Sequence, residues 1–314
     1  MKIRELQAAL EELIFVGQAH KMGVIDELYK KPDTSHGLAE RMGYNYRNTF
    51  ILLEALVEMN YLLKDRDLYT VDDEIFKRLV DKNNKEYEGD FWQFLLYLIN
   101  PWKTLPYVLK HGKPDESSYT NFSIDDFIRG MDSPWKKQIA PEVVDICLKY
   151  CKNALSVADI GGAPGTMARA FVERGLDTII YDLPESMEVM KEELSSIQGI
   201  TIETGDATES LPTGPYDIAF LGNLCHGQSP EDNAKIIKMC QQNLNDGGII
   251  AIFDNIRDES FRGAALALHM ITQSPKGNIY SKDEYYQWLE NAGFKDLTVE
   301  QLSDKRWQII IGYK

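Results

Sequence analysis

The sequence has little positive charge and no long apolar run. Its 314 residues include 34 lysines and arginines against 49 aspartates and glutamates, so the formal net charge is −15. General binding to nucleic acid or to an anionic membrane surface requires a basic face, which this balance argues against. No apolar run approaches the ~20 residues of a membrane-spanning helix. Because the segment MKIRELQAALEEL carries charges at helical spacing, we expect no secretory signal and no membrane partner.

Cysteine is also scarce, which limits the covalent and metal chemistry that the chain offers. The four cysteines are Cys147, Cys151, Cys225 and Cys240, and no histidine pair lies at zinc-binding spacing from them. Cys147 and Cys151 lie four residues apart on one face of a predicted helix, where helix packing is favoured over metal ligation. We therefore expect free thiols, a reducing cytoplasmic location and no metal site.

The chain is long enough for about two domains at ~150 residues each, and its two halves follow different patterns. The first half is rich in predicted helices, including a longer one over Tyr46–Asn60. Two short predicted strands follow, Tyr61–Lys64 and Leu68–Val71, joined by the turn Asp65-Arg66-Asp67. A helix, a turn, a second helix and a hairpin together are the elements of a winged helix.

A winged helix often binds DNA by laying its second helix in the major groove. Here that helix carries Glu54 and Glu58 beside Arg47, and the tip of the hairpin holds as many acidic as basic residues. Phosphate contacts require a basic excess that neither element has. The module is therefore interpreted as a structural or dimerisation element, and no nucleic-acid partner is expected.

From about residue 153 the pattern becomes strand followed by helix, which is typical of an open α/β sheet. The predicted fold class is therefore α/β, with a Rossmann-like seven-stranded sheet and a mainly α N-terminal winged-helix domain. The predicted strands are Ser156–Ile160, Thr178–Tyr181, Ile200–Glu203, Asp217–Leu221, Ile249–Phe253, 296–301 and 306–313.

A glycine-rich loop after the first of these strands carries the strongest chemical signal. Asp159 lies at the end of the strand, and Gly161, Gly162 and Gly165 follow it, so a ligand can approach the backbone at a helix N-terminus. The spacing differs from the Gly-x-Gly-x-x-Gly of dinucleotide sites, and a carboxylate beside the loop suits an ammonium group better than a pyrophosphate. S-adenosylmethionine has an ammonium group, a ribose and no phosphate, and it is the predicted ligand.

Two further acidic residues follow the next strands in the order that this cofactor needs. Asp182 ends the second strand, 21 residues beyond Gly161, where a carboxylate can accept hydrogen bonds from ribose hydroxyls. Asp206 and Ala207 come after the third strand, where a loop facing the adenine is expected. The series of loop and carboxylates, rather than the glycines alone, predicts a fold that binds S-adenosylmethionine.

The segments VADIGGAPGTMARAF, IIYDLP, GDATESLP, YDIAFLGNLCH and LNDGGIIAIFDN resemble those of class I methyltransferases. More narrowly, the chain resembles the small-molecule O-methyltransferases of the caffeic acid and acetylserotonin type. The resemblance implies a winged-helix dimerisation domain with connecting helices over 1–110, a methyltransferase domain over 111–314, and a homodimer. It implies S-adenosylmethionine as cofactor and S-adenosylhomocysteine as product, and the segment FIRGMDSPW implies that Phe127 and Met131 contact the cofactor. The full cofactor-binding prediction is Asp159, Gly161, Gly162, Gly165, Asp182, Leu183, Asp206, Ala207, Asn223, Met131 and Phe127.

The resemblance also implies a catalytic base after the fourth strand, where this chain has Cys225-His226. His226 takes the proton of a substrate hydroxyl whose oxygen attacks the methyl group. Asp254 either matches one of two glutamates that bracket the family's histidine or is only a residue at the end of its strand. A histidine of pKa ~6.5 facing a phenol of ~10 meets a gap of roughly 5 kcal/mol, whereas an alkyl alcohol near ~15.7 costs roughly 12 kcal/mol. The predicted substrate is therefore a small molecule with a phenol or enol hydroxyl.

The predicted helix Gly263–Thr272 matches the family's substrate-lining helix and places Leu266, His269 and Met270 on nearby faces. These three are the predicted substrate-binding residues. His269 is either a polar group of the pocket or, by a slight preference, a core histidine bonded to backbone.

Three residues depart from the family pattern and leave alternatives open. Gly227 and Gln228 follow the histidine where the family has Asp and Trp, and Ile279 falls on the position of the second glutamate. One alternative is therefore methylation of nitrogen, carbon or sulfur, or another reaction of the same cofactor. A second is a winged-helix regulator that senses a ligand through a degenerate methyltransferase domain.

Overall fold

The computed structural model describes residues 2–119 and 123–314. The chain divides into two compact units, Met1–Ile99 and Asn100–Lys314, whereas the sequence predicts a boundary at residue 110. Each unit has an apolar core of its own. Among the described residues, no helix combines the length and the apolar character that crossing a membrane requires.

The first unit is helical apart from one short hairpin. Its elements are α1 (Ile3–Lys21), α2 (Val24–Lys30), α3 (Ser35–Met42), α4 (Tyr46–Glu58), β1 (Leu63–Asp65), β2 (Leu68–Thr70), α5 (Asp73–Leu79) and most of α6 (Gly89–Lys103). Helix α3 starts where the side chain of Thr34 accepts a hydrogen bond from the backbone N–H of Gly37, and Asn45 caps α4 in the same way. The predicted succession of helix, turn, helix and hairpin is confirmed.

The second unit holds the seven-stranded sheet, and its predicted strands are confirmed. Its elements are α7 (Leu105–His111), α8 (Ile124–Met131), α9 (Pro134–Tyr150), β3 (Ser156–Ile160), α10 (Thr166–Glu173), β4 (Asp177–Asp182), α11 (Pro184–Ser195), β5 (Ile200–Thr204), β6 (Tyr216–Gly222), α12 (Pro230–Asn243), β7 (Leu244–Asp254), α13 (Gly263–Gln273), α14 (Lys282–Ala292), β8 (Lys295–Gln301) and β9 (Gln308–Tyr313). Strand β7 starts at Leu244 rather than Ile249, and its pairing with β6 shifts in register between these two residues.

The strand order across the sheet is β5-β4-β3-β6-β7-β9-β8. Strands β3 to β7 run parallel, and β9 is antiparallel to both of its neighbours. The chain continues from β3 to one side of the sheet and later returns to place β6 on the other side. In open α/β sheets, ligands bind outside the carboxyl ends of the strands at such a switch point. The topology therefore directs attention to the loops that follow β3 and β6.

Strand β7 shows why the central strands of this sheet are nearly continuous apolar runs. Ile250 and Ile252 pack into one core with α12 and α14, whereas Ile249 and Phe253 pack into a second core with α9 and α10. Because helices cover both faces, residues of both orientations are buried. Asp254 ends the strand, and the parallel pairing with β6 places its carboxylate next to the loop after β6.

Candidate active site

The loop that joins β3 to α10 brings backbone close to an open cavity. Gly161 has φ +71° and Gly165 has φ +89°, in the left-handed region that favours glycine. A Cβ atom added to Gly162 would lie 2.7 Å from Cγ of Asp159, so this glycine leaves room for the carboxyl group. The three glycines therefore allow a turn and a close approach that larger residues would prevent.

Two carboxyl groups flank this loop. Asp159 is 2% exposed, and burial, with the charge of Asp182 as a smaller cause, raises its pKa to about 7. The side chain of Asp182 accepts hydrogen bonds from the backbone N–H groups of Ala163 (3.0 Å) and Leu183 (2.7 Å), and burial raises its pKa as well. A cation or hydroxyl donors bound here would reduce the cost of holding these two negative charges.

The cavity lies between the loops after β3 and β6 and the start of α9, and it is open to solvent. The side-chain oxygen of Asn223 is buried here without a hydrogen-bond partner among the described residues, although buried polar atoms are normally bonded. The lining residues are Lys136, Asp159, Gly161, Gly162, Ala163, Pro164, Thr166, Met167, Gly222, Asn223 and Phe253. Such a wall of backbone, acid and unpaired amide is suited to a polar ligand.

The structure separates the predicted cofactor-binding residues into two groups. Asp159, Gly161, Gly162 and Asn223 line the cavity. Asp206 is exposed, and its carboxylate accepts hydrogen bonds from the backbone N–H and the hydroxyl of Thr208. In the described chain, the predicted residues outside the cavity lining are Gly165, Asp182, Leu183, Asp206, Ala207, Phe127 and Met131.

His226 and Asp254, which were predicted to act together, are in contact. His226 lies in a single turn of 3-10 helix, Cys225–Gly227, and its Nδ1 is 2.7 Å from Oδ1 of Asp254. The carboxylate, which is 1% exposed, also accepts hydrogen bonds from the backbone N–H groups of His226 (3.1 Å) and Asn255 (2.7 Å). A carboxylate only accepts, so the proton of the neutral imidazole is on Nδ1 and Nε2 carries the lone pair.

The loop that carries His226 is supported by other contacts, although Gly227, Gln228 and Ile279 depart from the family pattern. The backbone N–H of Asn278 donates to the carbonyl of His226 (2.9 Å), and the hydroxyl of Tyr280 donates to the carbonyl of Gln228. Ile279 between them is fully buried. The loop is therefore held by Asp254 and by backbone contacts, without a second carboxylate at position 279.

His269 has a side-chain partner rather than the backbone partner that was slightly preferred. The indole N–H of Trp102 donates to its Nδ1 at 2.9 Å, and the two rings meet edge to face with centroids 5.9 Å apart. Burial, and to a smaller extent the charge of His226, lower the pKa of His269 to about 4. The ring is therefore neutral near pH 7, and its Nε2 carries the proton.

The other two predicted substrate-binding residues lie on the same helix, α13. Leu266 is half-buried and Met270 is buried. Met270 packs so closely on Gly277 that a Cβ atom added there would lie 3.1 Å from its Cε. The two apolar side chains and His269 give this helix a mixed surface.

Within residues 2–119 and 123–314, no group of three or more histidine, cysteine, aspartate or glutamate side chains could hold a metal ion. All four cysteines are free thiols. Cys147 packs in an apolar core, and burial raises the pKa of its thiol.

Comparison with known protein families identifies the family of this chain. The model of the O-methyltransferase domain matches residues 107–295, which is more than half of the chain. The chain belongs to the O-methyltransferase domain family. It is therefore a methyltransferase, of a family whose methyl donor is S-adenosylmethionine.

Individual proteins are also similar to this chain in sequence or in structure. The chain is 26% identical over 293 residues to the tetracenomycin polyketide synthesis 8-O-methyl transferase TcmO of Streptomyces glaucescens, covering 87% of this chain and 85% of the relative. PigF of a Serratia species, solved with S-adenosylhomocysteine, matches with a TM-score of 0.80 at 19% identity over 100% of both chains. Human N-acetylserotonin methyltransferase, solved with S-adenosylmethionine, matches with a TM-score of 0.78 at 16% identity over 99% of this chain and 97% of the other. The two structural matches show a shared fold.

Two residues near the predicted site have no specific role assigned from the sequence: Lys136, and Trp102, one of the aromatic rings of residues 85–120 that either pack in a core or line a pocket. Lys136 lines the cavity, and its signal was present in the sequence, because it shares the apolar stripe of a helix with Ile139 and Ala140. Trp102 fixes the ring of His269 across 167 residues of sequence. No local pattern reveals that second contact.

Proposed function

We propose that this methyltransferase transfers the methyl group of S-adenosylmethionine to an acidic hydroxyl of a small molecule, with Nε2 of His226 as the general base. The observation that carries the proposal is the contact of His226 with Asp254 at the strand ends beside the cavity. Asp254 orients the ring and stabilises the imidazolium that forms when Nε2 takes the hydroxyl proton. When bound, the cofactor supplies a methyl group that its sulfonium charge activates for transfer.

The residues in and beside the cavity suit this cofactor in charge and in hydrogen-bonding capacity. Asp159 binds the ammonium group, because a cation there offsets the cost of a buried carboxylate. Asp182, already held by two backbone N–H groups, has remaining acceptor capacity for ribose hydroxyls. The free oxygen of Asn223 offers a further acceptor. The remaining residues proposed to bind the cofactor are Gly161, Gly162, Gly165, Leu183, Asp206, Ala207, Phe127 and Met131.

His269 is proposed to bind the substrate as a donor. Trp102 occupies its Nδ1, so Nε2–H is free to donate, and this atom has no hydrogen-bond partner in the described part of the chain. The neighbouring base presents the opposite polarity, a lone pair on Nε2 of His226. The pair fits a hydroxyl that has an acceptor oxygen or nitrogen on an adjacent position, with Leu266 and Met270 against its apolar part.

The function is tested by a screen of the purified protein with methyl-labelled S-adenosylmethionine. The compounds are matched pairs of phenols and enols, with and without an acceptor next to the hydroxyl, and the matching alkyl alcohols serve as controls. We expect methylation of oxygen, restricted to acidic hydroxyls and fastest for the compounds with the adjacent acceptor. Product analysis that finds the methyl group on nitrogen, carbon or sulfur contradicts the proposal and supports the alternative chemistry.

A homodimer and a cytoplasmic location belong to the same proposal. Helix α1 exposes an apolar stripe, in which Ile3 is 78% exposed and Leu6 and Leu10 are each about half exposed. A stripe of this kind is typical of an association surface. The free thiols of all four cysteines agree with a reducing compartment.

We expect light scattering after size exclusion to give about twice the chain mass of 35.9 kDa. Exchange of Leu6 and Leu10 for glutamate should give a monomer, because charges on the stripe lose their hydration in an interface. Ala8→Glu, on the opposite face of α1, is the matched control and should leave the dimer intact. A wild-type protein of single-chain mass contradicts dimerisation.

A further inference from the structure

Lys136 occupies a position that a lysine rarely has. It is 9% exposed and lies in the first turn of α9, on the face that also buries Ile139 and Val143. Lysines this buried are normally paired with an anion. Among the described residues, no carboxylate oxygen lies within the 4.0 Å of an ion pair to its Nζ, which is 5.8 Å from the centroid of the Trp135 ring.

Two of the three nearby acidic side chains are engaged elsewhere. Asp132 forms an ion pair with Lys137 at 3.0 Å and accepts a hydrogen bond from the hydroxyl of Thr166 at 2.6 Å. Asp254 is bonded to His226. Their charges, with that of Asp159, favour the ammonium form of Lys136, but burial outweighs them and lowers its pKa to about 8. A charged Lys136 therefore lacks a close partner within the described protein.

The cavity supplies the space for such a partner. Lys136 and Asp159 both belong to its lining, together with the unpaired amide oxygen of Asn223. The first turn of α9 adds the positive end of a helix dipole on the side of the lysine. A ligand that enters between the loops after β3 and β6 therefore meets a positive group, Lys136, on one wall and a negative group, Asp159, on another.

We infer that Lys136 binds the carboxylate of the cofactor's methionyl group, as the counterpart of Asp159, which binds the ammonium group. This inference rests on the proposed cofactor site and extends it to a residue that the motif did not include. An amino acid carries its two opposite charges on neighbouring atoms, and the cavity presents both complements. Lys136 then selects cofactors that retain the carboxylate.

The test compares two ligands that differ in this one group. S-adenosylmethionine and decarboxylated S-adenosylmethionine share the adenosine, the sulfonium and the amine, and calorimetry without an acceptor measures their affinities independently of turnover. We expect the wild type to bind the carboxylate form about 10- to 100-fold more tightly, as for a hydrogen bond between charged groups. Lys136→Gln should reduce the preference to within about threefold, through weaker binding of the carboxylate form.

Lys137→Gln is the matched control, because this exposed lysine is the next residue of the same helix, and it should keep the full preference. Lys136→Met provides a second variant that suits the apolar face of α9 if the glutamine variant does not fold. A wild type that binds neither ligand refutes the proposed cofactor site itself. A wild type that binds both equally, or a folded Lys136 variant that keeps the preference, overturns the role of Lys136 and leaves the proposed function standing.

Discussion

Replacing His226 with alanine is expected to lower kcat by about 10³-fold on the acceptor that the screen identifies, because a general base typically contributes 10²–10⁴-fold. The variant keeps Asp254 and the loop backbone but has no imidazole Nε2 to receive the hydroxyl proton. Affinity for S-adenosylmethionine should change by less than about twofold, since His226 is not part of the cavity lining. Steady-state kinetics at saturating cofactor and calorimetric titration measure the two quantities separately.

His111→Ala is the matched control for this experiment. This histidine is exposed in α7, where its ring packs against Tyr107, so its loss should leave kcat unchanged. Turnover of the His226 variant near the wild-type rate rejects the histidine as the base. A large loss of cofactor affinity together with kcat would instead indicate that the substitution has disturbed the cavity.

Asp254→Asn is expected to lower kcat by about 10²–10³-fold although its side chain has nearly the same size. The carboxylate accepts from Nδ1 of His226 and therefore keeps the lone pair on Nε2. A carboxamide can present its NH₂ group to the ring, which favours the opposite tautomer, and it stabilises the imidazolium less. The effect should appear in kcat, with affinity for the cofactor retained.

The conservative variant Asp254→Glu distinguishes the orientation of His226 by a carboxylate from a role of Asp254 in packing alone. It restores the negative charge with the longer side chain that the resembled family has here, and it should recover most of the loss in kcat. Thermal unfolding of both variants is needed as a control, because Asp254 is 1% exposed and also accepts two backbone N–H groups. Wild-type kcat in a folded Asp254→Asn variant contradicts the orienting role.

The strands in the middle of the sheet were predictable because they are buried and mostly apolar. Ser156–Ile160 was predicted to the residue, since both faces of the strand are covered and Val157, Ala158 and Ile160 favour burial. The start of β7 was not predicted, because Gly247 and Gly248 are typical of a turn and lie where the pairing of β7 with β6 shifts in register. The insertion of β9 between β7 and β8 likewise depends on contacts between distant segments.

Much of the predicted site is local, and this is why it was accessible from the sequence. The glycine loop and Asp159 lie within seven residues, so their spacing alone places them at one strand end. The catalytic and binding roles assigned to these residues stay predictions until the experiments above are done. The partner of His269 could not be predicted from the sequence, since Trp102 is 167 residues away. The sequence slightly favoured a bond from this histidine to backbone rather than to a side-chain donor.

By itself, the sequence determined the class of this protein: an acidic chain with an α/β sheet, a glycine loop and an ordered series of carboxyl groups, consistent with the O-methyltransferase domain family. Only the tertiary structure decided that Asp254 reaches His226, because parallel pairing of β6 and β7 brings residues 28 positions apart to one edge. It also showed that Lys136 lines the cavity and that no carboxylate of the described residues lies within ion-pair distance of it. Local patterns specify elements and their ends, whereas burial and charge balance arise only where distant segments pack.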